Sequence, residues 1–133
     1  MSYIYKQHWN KKIVVAYLED AADIHRRLPR VKVDGYYNLW PETMRDEWTK
    51  LYDAVNGTNQ LGAPNAREVS YHEEIMEWLR WVQPDQQQLV WMRANRIPWK
   101  ILIDQFGASK ATLWRKVDNG LARIESTLIA NQG

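Results

Sequence analysis

The chain has 133 residues, 45% of them apolar and 26% charged, the proportions of an ordinary globular protein. At this length a single domain buries roughly two thirds of its unfolded surface without help from a metal or disulfide. It contains no cysteine and no apolar run longer than the six residues Ile13 to Leu18, which excludes disulfides, thiolate catalysis, sulfur-ligated metals and a membrane span of roughly 20 residues. The net charge of +2 is unevenly spread, because residues 96–123 carry six basic groups against only Asp104 and Asp118.

From Asn10 onward Ile13, Tyr17, Ala21, Ile24 and Leu28 recur at steps of three or four, with charged residues between them. This is the pattern of an amphipathic helix capped by Asn10 and stopped by Pro29. Arg30 to Leu39 reads as a linker. Trp40-Pro41 opens a second helix running to about Val55, with Met44, Trp48, Leu51 and Val55 on one stripe. Asn56 to Asn65 is rich in turn residues and reads as a connection. A third helix from about Ala66 carries Val69, Ile75, Trp78, Leu79 and Val82, and Pro84-Asp85 opens a fourth toward Asn95. The expected organisation is an N-terminal helical part over 1–60 and a C-terminal part over 66–130, or one compact domain made of both. Eight Trp and seven Tyr stand against a single Phe, so a Trp-rich core is expected, built on Trp78, Trp81, Trp91 and Trp99.

After Pro98 the residues Trp99 to Phe106 form a short helix, Gly107-Ala108-Ser109 a tight turn, and Leu113, Val117, Leu121, Ile124 and Leu128 the stripe of a longer last helix. Short helix, glycine turn and serine-capped helix are the sequence form of a helix-turn-helix. The fold class expected is therefore all-α, about six helices with a C-terminal helix-turn-helix. In a DNA-reading unit of that kind the second helix presents short polar and basic side chains at its N-terminal end. Here that end offers Ser109, Lys110, Ala111, Thr112, Arg115, Lys116 and Asn119, with Arg able to bond guanine bidentately and Ala and the Thr methyl able to contact thymine. Lys100, Arg96 and Arg123 are weaker candidates for phosphate contact. The alternative for all these charges is a solvated face.

The run Trp78 to Lys116 resembles the region-four helix-turn-helix of bacterial RNA polymerase sigma factors, through Phe106-Gly107-Ala108-Ser109 and Thr112-Leu113. The whole chain, with Arg27-Leu28-Pro29, Gly35-Tyr36, Trp40-Pro41 and Trp78-Leu79-Arg80-Trp81, is similar to a family of short alphaproteobacterial and phage proteins. That second likeness implies no activity; the first implies double-stranded DNA as partner. Two residues depart from the sigma pattern. Ile103 stands where a small residue usually lets the two helices cross closely, so looser packing or a shifted crossing is expected. Trp114 falls on the reading surface, where a polar residue is expected; packing against Pro98 or Trp99, or a partner interface, would account for it.

His8, His25 and His72 are far apart and not at ligand spacing, and no phosphate loop or nucleophile motif occurs, so no metal, cofactor or enzyme activity is expected. The N-terminus lacks the basic-then-apolar layout of a secretory signal, which points to the cytoplasm of a bacterium or phage-infected host. The expected function is sequence-specific double-stranded DNA binding by a small transcriptional regulator of phage or prophage origin. One unit has a small footprint, so a homo-oligomer, a dimer or higher, is expected, with Tyr17, Trp40 and Trp48 on its assembly surface. Two alternatives stand beside it. One is the small DNA-recognition subunit of a phage packaging terminase; the other is a protein-interaction module docking on RNA polymerase or another regulator.

Overall fold

The computed structural model describes residues 4, 7–28 and 62–132, and all regular structure among them is helical. Five helices follow in order: α1 Lys11–Arg27, α2 Ala66–Leu79, α3 Pro84–Ala94, α4 Trp99–Phe106 and α5 Lys110–Gln132. The linker read over Arg30 to Leu39, the helix read from Pro41 to Val55, and Trp40 and Trp48 lie outside the described residues. Among those described, no helix is long and apolar enough to cross a membrane.

Local chemistry sets the boundaries. Asn10 caps α1 by accepting from the Ile13 N–H at 2.9 Å, which satisfies one of the donors a helix start leaves open. Asn65 and Glu68 form a reciprocal capping box at the start of α2, each side chain bonding the other's backbone. Pro84 occupies the first position of α3, where its missing N–H costs nothing.

The centre of the fold is α3. Leu89, Val90, Trp91 and Met92 are four successive residues at 0–1% exposure, which leaves this turn of helix no solvent side. It is enclosed by α1 and α5, and α2 packs chiefly on α1. The long α5, about 34 Å at the usual rise, buries Leu113, Val117, Gly120, Leu121 and Ile124, the expected stripe with a glycine added and with Leu128 only partly buried at its far end. A Cβ on Gly120 would lie 2.7 Å from a Val90 Cγ, so glycine is what lets α5 approach α3 this closely.

The buried stripe of α1 is displaced from the expected one. Val14, Leu18, Ala21, Ala22, Ile24 and His25 are buried, while Ile13 and Tyr17 are half-buried. The reason is that α1 touches α2, α3 and α5, so its apolar face is widened and turned toward all three. Tyr17, expected on an assembly surface, is half-buried and packed within the chain. Its ring packs on Trp9, Tyr71 and Trp78 at centroid distances of 5.5–6.0 Å, and its hydroxyl accepts from Gln7 Nε2 at 2.9 Å.

Among the expected core tryptophans, Trp78 and Trp91 are buried and Trp81 and Trp99 pack partly buried at the core's edge. In α4 the fully buried side chain is Leu102, with Ile103 half-buried beside it, so the bulk of Ile103 sits at the margin. Residues 7–9 are fastened to the last turn of α5. The Gln132 carboxamide oxygen accepts from the Gln7 N–H and from Trp9 Nε1, both at 2.9 Å, and its nitrogen donates to the Gln7 carbonyl at 2.8 Å.

Candidate nucleic-acid interface

The turn between α4 and α5 depends on one backbone conformation. Gly107 has φ +62° and its N–H bonds the Ile103 carbonyl at 2.9 Å, the left-handed ending that glycine adopts without penalty. Nothing lies within 4 Å of where its Cβ would stand, so the requirement is conformational and not one of space. Two residues later Ser109 Oγ accepts from the Thr112 N–H at 3.3 Å and donates to Thr112 Oγ1 at 3.0 Å. Leu113, 1% exposed, anchors the first turn of α5 to the core and leaves the rest of that turn outside.

Ala111, Arg115 and Asn119 follow one another at intervals of four and are all exposed, which puts them on one face. Ser109 and Lys110 are exposed beside them, and Thr112 is half-buried and bonded to Ser109. Trp114 is 54% exposed. Its ring is not stacked on Trp99, and this large apolar surface shares the free end of α5 with Lys110 and Arg115.

The basic candidates divide by what holds them. The exposed Arg115 has no counter-ion among the described residues. Lys116 lies 3.6 Å from Asp85, an exposed pair of small worth. Lys100 is exposed in the first turn of α4. Arg96 is drawn toward α1, with Glu19 at 3.4 Å and Asp23 at 3.2 Å, so its charge is largely answered within the protein. Arg123, two turns beyond Arg115, leans on the turn that follows α2, its Nε donating to the Trp81 carbonyl at 3.4 Å. The compact group is therefore Ser109, Lys110, Ala111, Thr112, Arg115 and Asn119, with Lys116 at its border.

Two arrangements escape a reading by sequence spacing. The Arg93 guanidinium lies 4.5 Å from the centre of the Trp99 ring, and Lys110 Nζ 5.9 Å from it, so one indole carries a cation from α3 and another from the first residue of α5. Burial pulls the Arg93 pKa below its ordinary value, against the opposing pull of Glu19.

The second is a pair of histidines, separated in sequence, that meet in the core. His25 Nδ1 and His72 Nε2 are 3.1 Å apart, both residues are buried, and Trp91 closes the site edge-on to His25 at 5.4 Å. Burial lowers the pKa of each imidazole, and the neighbouring His72 and Arg26 lower that of His25 further, so both are neutral near pH 7 and one donates to the other. The available signal was their register: His25 falls four residues after Ala21, and His72 three before Ile75, each on its helix's apolar stripe.

No curated protein and no solved structure matches the chain. The region from α1's last turn to the buried stripe of α5, residues 26–124, matches the family described as a domain of unknown function, DUF6362, and the chain belongs to that family.

Proposed function

We propose that this protein binds double-stranded DNA in a sequence-specific manner and acts as a small regulator of transcription, with α4, the Gly107 turn and α5 as its helix-turn-helix. The observation that carries the reading is the free end of α5. Leu113 fixes the helix to the core while Ser109, Lys110, Ala111, Arg115 and Asn119 project, with the half-buried Thr112 among them, as a short polar and basic surface, of a size that enters a major groove. Lys110, Arg115 and Lys116 would supply the salt-dependent share of affinity. Since one such unit covers few base pairs, binding as a homodimer or higher oligomer belongs to the proposal.

One observation favours a second reading. Trp114, 54% exposed among the same residues, is the kind of aromatic that anchors a protein interface, and a module docking on RNA polymerase or another regulator would use it.

Fluorescence anisotropy against a random-sequence duplex pool at two salt concentrations, with sequencing of the bound fraction, separates the two. The DNA reading expects enrichment of a short site. It also expects the Lys110→Ala, Arg115→Ala double variant to lower the slope of log affinity against log salt by about 2, if each contacts one phosphate. Absence of binding at low salt refutes it and leaves the docking module.

A further inference from the structure

Between α1, α3 and α5 lies a partly open cavity of about 210 Å³. Its walls are apolar, from Leu18, Val90, Ala94, Val117 and Leu121, and its mouth is charged, from Glu19, Arg93 and Arg96. The two guanidiniums outnumber the one carboxylate. Arg96 is already bound to Glu19 and to Asp23. Arg93 has no carboxylate within ion-pair distance among the described residues; its contacts are the Ile97 carbonyl, which accepts from Nη1 at 2.6 Å, and the face of Trp99.

We propose that this cavity is a binding site for a small apolar carboxylic acid, its hydrocarbon part among Val90, Ala94, Val117 and Leu121 and its carboxylate on Arg93. Three observations set the ligand class. The size fits one ring with a short acidic arm, since a dry cavity of roughly 150 Å³ already holds benzene. The walls offer hydrocarbon and no hydrogen-bonding side chain, so specificity has to come from the mouth. The mouth holds a partly desolvated cation with donors left over, and a guanidinium pairs best with a planar, bidentate carboxylate. A cationic ligand would place its charge against Arg93, and a purely apolar one would leave that guanidinium as it is. The site is independent of the DNA reading, and its test contains no nucleic acid.

The test is calorimetric titration of the full chain with phenylacetate and with phenylacetamide, which has the same shape without the charge. Phenylacetate is expected to bind with a Kd of about 0.1–1 mM, the range open to so small a ligand. Phenylacetamide is expected to bind about tenfold more weakly, the loss of a charge-assisted pair. Arg93→Gln keeps a donor for the Ile97 carbonyl and is expected to erase that difference. Ala94→Leu fills the cavity and is expected to abolish binding of both. Backbone amide shift mapping on the wild-type chain provides a check that needs no variant, with changes expected over residues 15–19, 90–96 and 117–121. Equal affinity for the two compounds, shifts centred elsewhere, full binding by a folded Ala94→Leu chain, or no binding at all each overturns the proposal.

Discussion

Gly120→Ala tests how closely α5 lies on α3. In an isolated helix the substitution stabilises by about 1 kcal/mol, because alanine loses less backbone freedom than glycine. Here the new methyl would meet a Val90 Cγ at 2.7 Å and a Val82 Cγ at 3.3 Å, and neither can simply turn away. Val90 is 1% exposed inside α3, and a β-branched side chain in a helix has one strongly preferred rotamer. Overpacking of such a site costs about 1–3 kcal/mol, and the upper half of that range applies because the contact is with a rigid neighbour. The net expectation is a loss of about 1–2 kcal/mol, read as a lowered urea midpoint by far-UV circular dichroism at unchanged slope. Val90→Ala in the same chain removes the methyl that is struck, so the double variant is expected to lose less than the two single changes added together. A Gly120→Ala protein as stable as the wild type, or more so, refutes the close approach.

Two further expectations follow from polar groups. The buried histidines make stability depend on acid: unfolded imidazoles take up protons near pH 6.5, whereas folded His72 resists until about 4 and folded His25 until lower still. The unfolded chain therefore holds more protons in between, so stability is complete above about 6.5 and drains away as the pH falls toward about 4 for His72 and toward about 3 for His25. Urea midpoints at pH 7 and pH 5 measure this, and in His72→Phe the part owed to that imidazole is expected to vanish. Ser109→Ala removes the cap of α5; because the accepted bond is long at 3.3 Å, the expected cost is at the low end of the usual range, about 0.5–1 kcal/mol by thermal melting.

What could be read from the residues was what depends on near neighbours in the chain. The caps Asn10 and Ser109, the proline start of α3, the glycine at 107 and the Leu113 to Ile124 stripe are each decided within a few positions, and the helices stand where those signals put them. The exposed face of α5 was legible for the same reason, since it is the complement of its stripe.

What depends on distant partners was not legible. The tilt of α1's buried face reflects three neighbours at once, and Gly120 looks like a flaw in a helix until Val90 is placed against it. Arg96 reads as a free cation until Glu19 and Asp23 arrive from more than seventy positions away. His25 and His72 carry polar labels that hide their core positions. In each case the residue type was plain and its partner was not.

The Gln132 clasp changes what the end of a helix means. A terminal turn ordinarily frays at no cost to the rest of the protein, its last carbonyls simply turning to water. In this chain the same event strips three hydrogen bonds from Gln7 and Trp9 and loosens the indole that stands edge-on to Trp78. Opening at the last turn of α5 would therefore reach the approach to α1 across 125 residues of sequence, so that these two remote parts of the described fold are fastened by one set of bonds.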